Sequence, residues 1–410
     1  VLTPEETNHM FIQEAPNTNR TALSESNAEI IRQTLPVIGA NINNITPIFY
    51  NKMFTNHPEL IADTFNRGNQ RSGEQQKALA ASIATFAAML VDENAPDPVE
   101  MLSRIGHKHV SLGITEDQYQ IVHDNLFAAI VEVLGDAVTP EVAGAWDEVY
   151  WLMAKVLIDF EKDLYASAGV DAGDVFIKAE LKEKTQLSSR VTQYTFAGQG
   201  FDEALPGQYT SIGVKLDDGA RQLRQYSLTA TDAETFSIAV QQDGEVSNFL
   251  LERVNVGDTV DATLPAGDLV LDENTAPLVL VSQGIGSTPM TGMLAHLVAN
   301  KDQVARDVVV LHADATADDY AQRDATDNLV AALAENGSAT HITAYRDNNE
   351  MLDLSQMNRD GQVPAGAQWY LCGGSGFLQD IRDQLEENKE TLIPTSIHFE
   401  LFSPNDWLIS

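Results

Sequence analysis

Only one cysteine, Cys372, occurs in 410 residues. An internal disulfide is therefore impossible, and a reducing, cytoplasmic setting is expected. Cations are scarce. Lys and Arg number 25 against 60 Asp and Glu, giving a net charge of −35 and a pI near 4.3. Such a surface repels phosphate backbones and anionic lipid, so nucleic-acid and membrane partners are not expected. The acidity fits two readings, a salty cytoplasm or plain solubility. No run approaches the ~18 apolar residues of a membrane span. The first residues, VLTPEETNHMF, have neither a basic start nor an apolar core, so a signal peptide is not expected.

Apolar residues make up 43% of the chain, enough for real cores, and the length calls for two or three domains. Residues 1–26 are polar and unpatterned and read as a loose arm. Residues 27–168 lack strand signals. NAEIIRQTL, ITPIFYNKMF, SGEQQKALAASIATFAAMLV, PVEMLSRIGHKHVSL and the segments after them carry a 3.6-residue apolar period, that of helices. ASAGVDAGD (166–174) reads as a linker. Short alternating runs between turn clusters then predict an antiparallel barrel or sandwich over 173–272. From 276 to 410, apolar strands (LVLVS, DVVVLHA, THITAY, WYLCG, IHFELF) alternate with helical stretches, the pattern of a parallel α/β sheet.

RIGHKHVSLG holds two histidines two positions apart. On a helix such positions point about 200° apart, so His107 and His109 cannot share one buried site. Leu102, Ile105 and His109 share a stripe, which turns His109 inward and His107 outward. His109 is then either a satisfied core histidine or a ligand. Tyr50 lies at the edge of an apolar helix face and Gln75 in line with Leu79, Ile83 and Phe86. Each also has a plain reading: a core tyrosine, and a capping box with Ser72.

Together, FYNKMF, NHPEL, NQRSGEQQKAL, KHVSLGI and VLGDAVTPEVAGAW resemble the globin domain of flavohaemoglobins. The resemblance implies haem b with His109 as proximal iron ligand. It places Tyr50 and Gln75 on the oxygen-binding side, Phe65 against the porphyrin and Leu79 over the iron. Tyr119 and Glu161 match the pair that hydrogen-bonds the proximal histidine, and Lys108 a lysine beside it.

The second half carries matching signals. RQYSL (224–228) follows PGQY (206–209) by about one strand and turn. Alone it is a strand with alternating exposure. With its partner it resembles the flavin domain of the ferredoxin-reductase superfamily. Arg224 would bind the FAD pyrophosphate, Tyr226 would pack on the isoalloxazine, Ser227 would sit near flavin N5, and Tyr209 and Gln225 complete the site. GEVSNFL matches the family's next helix start, and helix-start N–H groups suit phosphate. LVLVSQGIGSTPM reads as strand, glycine turn and helix, the context for phosphate at a helix N-terminus. With proline at 289 it is no G-x-G-x-x-G. It matches the superfamily's G-x-G-x-T-P variant, which implies NAD(P)H binding by Gly284, Ile285, Gly286, Ser287, Thr288 and Pro289.

Asp314, Asp318 and Asp319 follow the next strand, with no Arg before Arg323, so NADH is favoured over NADPH. YLCGGSGFL resembles the C-G-P-x-x-F segment near nicotinamide, with Gly374 in place of proline. Cys372 has no basic neighbour to activate it and reads as packing or nicotinamide-adjacent. HFELFSP matches the closing strand, which implies Glu400, Leu401, Phe402, Ser403 and Pro404 beside the flavin. Ser403 stands where glycine is usual.

The resemblance covers 27–404. It implies an all-α globin domain followed by a ferredoxin-reductase-like module, an antiparallel FAD barrel plus an α/β parallel-sheet NAD domain. The implied activity is nitric oxide dioxygenation: electrons pass from NAD(P)H through FAD to haem, and NO with O2 becomes nitrate. A monomer with O2 and NO as its small-molecule partners is expected. The alternatives are a reductase of ferric iron, quinone or hydroperoxide, and an O2 or NO sensor.

Overall fold

The structure, a computed structural model, describes residues 15–68 and 74–402, without the side chains of 74–77 and 80. Ser72, Ser403, Pro404 and the side chain of Gln75 lie outside the described residues. The chain divides into two compact units at Val175/Phe176.

The first unit is helical: α1 Glu25–Asn56, α2 Pro58–Asp63, α3 Glu74–Val91, α4 Val99–Ser111, α5 Asp117–Leu134 and α6 Pro140–Ser167. The sequence splits the first stretch into two segments, yet α1 runs unbroken through Pro36 and Pro47. Each internal proline costs a helix about 3 kcal/mol. The buried stripe Ile31, Ile38, Ile45 and Phe49 continues past both. Burying each such side chain contributes about 1.5–3 kcal/mol, enough to offset that cost. Within the stretch 1–26, expected to be a loose arm, the described residues from Thr18 on are fastened to the helices. The Thr18 hydroxyl donates to Asp97. The Arg20 guanidinium donates to the carbonyls of Asp92, Glu93 and Ala95, and the Ser24 N–H and hydroxyl donate to Glu148. Pro140 opens α6, and the Thr139 hydroxyl accepts from the Val142 N–H at 3.2 Å.

The second unit begins with β1 Phe176–Gln186, β2 Val191–Ala197, β3 Tyr209–Lys215, β4 Arg221–Thr231, β5 Thr235–Gln241 and β6 Thr259–Thr263. They form a closed barrel in the order β1-β2-β5-β4-β3-β6, which decides between barrel and sandwich. Leu181, Phe196, Ile212, Phe236, Ile238 and Ala262 fill it. Helix α7, Glu245–Arg253, follows β5. The Lys184 ammonium donates to the carbonyls of Leu250, Leu251 and Val254 at its C-terminal end, where a cation suits the helix dipole.

Next come β7 Leu278–Gln283, α8 Ser287–Ala299, β8 Val308–Asp314, α9 Arg323–Ala334, β9 Ala339–Tyr345, α10 Leu354–Arg359, β10 Gln368–Gly373, α11 Ser375–Glu387, α12 Lys389–Leu392 and β11 Ser396–Leu401. The five strands form a parallel sheet in the order β11-β10-β7-β8-β9. Alternation feeds two cores. Val279, Val281, Leu311 and Leu371 pack with Leu378 and Ile381 of α11. Leu278, Leu280, Val310 and Tyr370 pack with Met290, Met293 and Leu294 of α8. Both faces are covered, which explains why these strands read as unbroken apolar runs. Arg306 ties the barrel's closing segment to the sheet: it donates to the carbonyls of Ala276 (2.6 Å) and Asp272 (2.9 Å) and to Gln368.

Candidate active site

In the helical unit, His109, Tyr119 and Glu161 converge from α4, α5 and α6. His109 Nδ1 lies 2.7 Å from Glu161 Oε1 and 3.0 Å from the Tyr119 hydroxyl. Tyr119 donates to the same carboxylate oxygen at 2.7 Å. The Glu161 side chain is 4% exposed. Burial, reinforced by the Glu161 charge, pushes the Tyr119 hydroxyl well above its usual pKa, so it remains a donor. A carboxylate only accepts, so the imidazole proton sits on Nδ1 and Nε2 carries the free lone pair. Among the described residues Nε2 has no hydrogen-bond partner, and the ring is 30% exposed. An imidazole with one nitrogen anchored by a carboxylate and the other presented as a donor suits a haem iron.

Two helix contacts hold this geometry. Tyr150 of α6 donates to the Tyr119 carbonyl at 2.6 Å, and Tyr165 to the Ile114 carbonyl at 2.6 Å. Neither was singled out in the sequence, where both look like core tyrosines. Leu102 and Ile105 are buried, as their stripe predicts. His107 is not outward: it is 3% exposed, edge-on to Phe160 at 5.6 Å. Helical phase foresaw one covered face of α4. A second flank is covered too, because Gly106 admits Phe160 where a Cβ would lie 2.4 Å from the ring. Lys108 is half-buried.

Tyr50 is buried, with Phe65 edge-on to it at 6.2 Å. Leu79 lines an apolar cavity with Ile38, Ile42, Ile45, Ile83 and Leu126. Among the described residues no cluster of three His, Cys, Asp or Glu forms a metal site. No helix there is long and apolar enough to cross a membrane.

In the second unit, β4 presents Arg224, Gln225, Tyr226 and Ser227, and β3 sets Tyr209 opposite Ser227. Arg224 donates to the Leu223 carbonyl and to Gln222, and lies 3.5 Å from Glu245. Glu245 is the first residue of α7, so the guanidinium and a helix N-terminus meet at one place, a combination that suits a pyrophosphate. Gln225 donates to Ser211 at 3.0 Å. Ser227 is buried.

Between β7 and α8 the chain makes a 3₁₀ turn, Gly284–Gly286. A Cβ on Gly286 would lie 2.5 Å from the Cys372 carbonyl, so only glycine lets the turn rest on β10. Ser287, Thr288 and Pro289 are buried, Ile285 half-buried, and the Thr288 hydroxyl donates to the Ile285 carbonyl at 2.9 Å. The turn leads into α8, as a phosphate site requires. Cys372 is fully buried, and burial with the Glu400 charge pushes its thiol well above the usual range, which agrees with an unreactive role. Glu400 pairs with Cys372 across the sheet, Leu401 is buried, and the Phe402 N–H donates to the Gly373 carbonyl at 3.2 Å. The sequence overlooked Ser282, His312 and Tyr320. For Ser282 and His312 the available signal was a polar residue near the end of an apolar strand; Tyr320 lies beyond β8 and offered none.

Comparison with known proteins agrees with this layout. Residues 48–157 match the Globin family, 178–270 the Oxidoreductase FAD-binding domain and 280–383 the Oxidoreductase NAD-binding domain. The flavohemoprotein of Bacillus subtilis is 32% identical over 93% of this chain and 98% of its own. That of Bordetella parapertussis is 36% identical over 89% and 95%. The crystal structure of flavohemoglobin from Malassezia yamatoensis, with bound FAD and haem, is 34% identical, with a TM-score of 0.83 over 93% of this chain and 100% of that one. With relatives at this identity matched over nearly their whole length, and with globin, FAD and NAD domains in the same order, the chain belongs to the flavohemoprotein family.

Proposed function

We propose that this oxidoreductase is an NADH-driven nitric oxide dioxygenase that uses haem and FAD. The observation that carries the reading is the hydrogen-bonded His109–Glu161–Tyr119 set, with its carboxylate buried. A donor histidine held by a buried carboxylate is more electron-rich than one held by a neutral carbonyl, and oxygen activation benefits from that push. When bound, FAD and haem would supply the conversion of a hydride's electron pair into single electrons and the chemistry that turns NO and O2 into nitrate.

The chain's own residues bind and orient. Glu161 keeps the His109 proton on Nδ1, and Tyr119, donating to the same oxygen, limits how far that proton shifts. Tyr50 supplies a hydroxyl donor on the oxygen side, where Gln75 would join it and Phe65 and Leu79 exclude water. Arg224 and the start of α7 receive the FAD pyrophosphate, and Ser227 and Tyr226 border the flavin ring. The Gly284–Pro289 turn receives the dinucleotide phosphates. Glu400, Leu401 and Phe402 border the flavin site, where Ser403 and Pro404 would join them.

The deciding measurement is NADH oxidation by the full chain under O2. It should rise when NO is added, with one nitrate formed per NO consumed. Oxidation indifferent to NO, with ferric iron or quinone reduced instead, would overturn the proposal. Tyr50→Phe should release O2 about 10–100 times faster, the loss expected for a hydrogen bond to a charged acceptor. An unaltered off-rate would remove Tyr50 from the oxygen side.

A further inference from the structure

Ser282, His312 and Asp314 form a buried polar line at the C-terminal edge of the parallel sheet. Ser282 of β7 and His312 of β8 are cross-strand partners. The Ser282 hydroxyl lies 2.8 Å from His312 Nδ1. His312 Nε2 lies 3.0 Å from Asp314 Oδ2, and the Ala315 N–H donates to Asp314 Oδ1 at 2.8 Å. The ring is 0% exposed and stacks on Tyr320 with centroids 3.5 Å apart. The Tyr320 hydroxyl is in turn hydrogen-bonded with Thr326 and His341.

One tautomer satisfies this line. A carboxylate only accepts, so Nε2–H donates to Asp314, and Nδ1 accepts from Ser282. Burial holds the imidazole below its usual pKa and therefore neutral. Ala313, the residue before Asp314, pairs with Gln283, the last residue before the glycine turn. The acid thus stands one strand over from the turn that suits the dinucleotide phosphates. Its side chain is 11% exposed. A carboxylate has about four lone-pair sites. His312 and Ala315 take one each, which leaves acceptors for two neighbouring hydroxyls.

We propose that His312 is a positioning residue for the nicotinamide dinucleotide. It holds the Asp314 carboxylate where that group accepts the adenosine ribose hydroxyls, and so selects a free 2′-hydroxyl over a 2′-phosphate. This inference rests on the reading of the second unit as an NADH-dependent reductase. Asp314 supplies both the attraction and the repulsion: it accepts from a hydroxyl and repels a phosphate placed there. His312 gives that selectivity its geometry, because a carboxylate free to rotate out of the line would lose its aim. Asp314 sets the tautomer, and Ser282, donating to Nδ1, holds the ring in line.

The test is calorimetric titration of the full, FAD-loaded chain with ADP-ribose and with 2′-phospho-ADP-ribose, neither of which carries the reacting ring. The wild type should prefer ADP-ribose. His312→Ala should weaken ADP-ribose at least about tenfold, the effect of losing a charge-assisted hydrogen bond. It should weaken the phosphorylated ligand less, raising KM for NADH more than it lowers kcat. Asp314→Asn, which leaves the His312 stack in place, should also weaken ADP-ribose and should tighten the 2′-phospho ligand. It decides the matter if His312→Ala loses FAD. Unchanged ADP-ribose binding in folded variants, or a parallel loss of both ligands, would overturn the inference. If the wild type binds neither ligand and NADH leaves its flavin oxidised, the reductase reading itself fails.

Discussion

His109→Ala is expected to abolish haem binding while leaving FAD and NADH-dependent dye reduction in place. Two features give this large effect its specificity. First, His109 is the side chain in its network with one nitrogen anchored and the other presented. Glu161 and Tyr119 are spent on each other and on Nδ1, so neither can replace a lost Nε2. Second, the barrel and the sheet have their own cores and lie in the other compact unit. No residue of α4 belongs to those cores. The helical unit should also lose about 1–3 kcal/mol, because the buried Glu161 carboxylate gives up a donor. Absorption spectroscopy reads the outcome: the Soret band should vanish and the flavin bands persist. A variant with the wild-type Soret spectrum would show that His109 is only a satisfied core histidine, the plain reading that its sequence also allows.

Gly292→Val should slow flavin reduction by NADH more than tenfold without removing FAD. Gly292 lies in α8, and a Cβ there would sit 2.3 Å from the Leu228 carbonyl of β4. That obstacle is backbone, so the helix must move. On one side of the contact is the helix that begins at the dinucleotide turn. On the other is the strand that carries Arg224 to Ser227. A shift of about 1 Å in such an alignment costs on the order of a hundredfold in rate. Overpacking should also lower stability by about 1–3 kcal/mol. Gly39→Ala, in the interior of α1 and outside the reductase unit, is the control, because its Cβ meets nothing within 4 Å. It should leave the reduction rate alone and stabilise the helix by about 0.5–1 kcal/mol. Anaerobic stopped-flow mixing with NADH separates the two. Equal reduction rates in both variants would show that the α8–β4 approach does not set the hydride geometry.

How much of this was legible beforehand follows from how each feature is encoded. The alternation of apolar strands and helices after residue 276 is local and repeated, and all five strands appear where the runs predict them. The glycine turn is legible because its chemistry is carried by neighbours in sequence. Helical phase placed Leu102 and Ile105 correctly, since a single period decides which residues share a face. It misplaced His107, because the partner that buries it, Phe160, lies 53 positions away and enters only where Gly106 gives it room. The Ser282–His312–Asp314 line escaped notice for a related reason. Its members belong to two strands whose register no local pattern reveals.

The sequence by itself determined the order of the three domains, the type of each element, and the residue classes suited to haem, flavin and dinucleotide. These depend on local period, turn chemistry and short motifs. The tertiary structure alone decided that His107, which helical phase turns outward, is buried against Phe160. It also brought Ser282, His312 and Asp314 into one hydrogen-bonded line at the sheet's edge. Each of these depends on groups distant in sequence approaching within about 3 Å, the range in which hydrogen bonds and packing act.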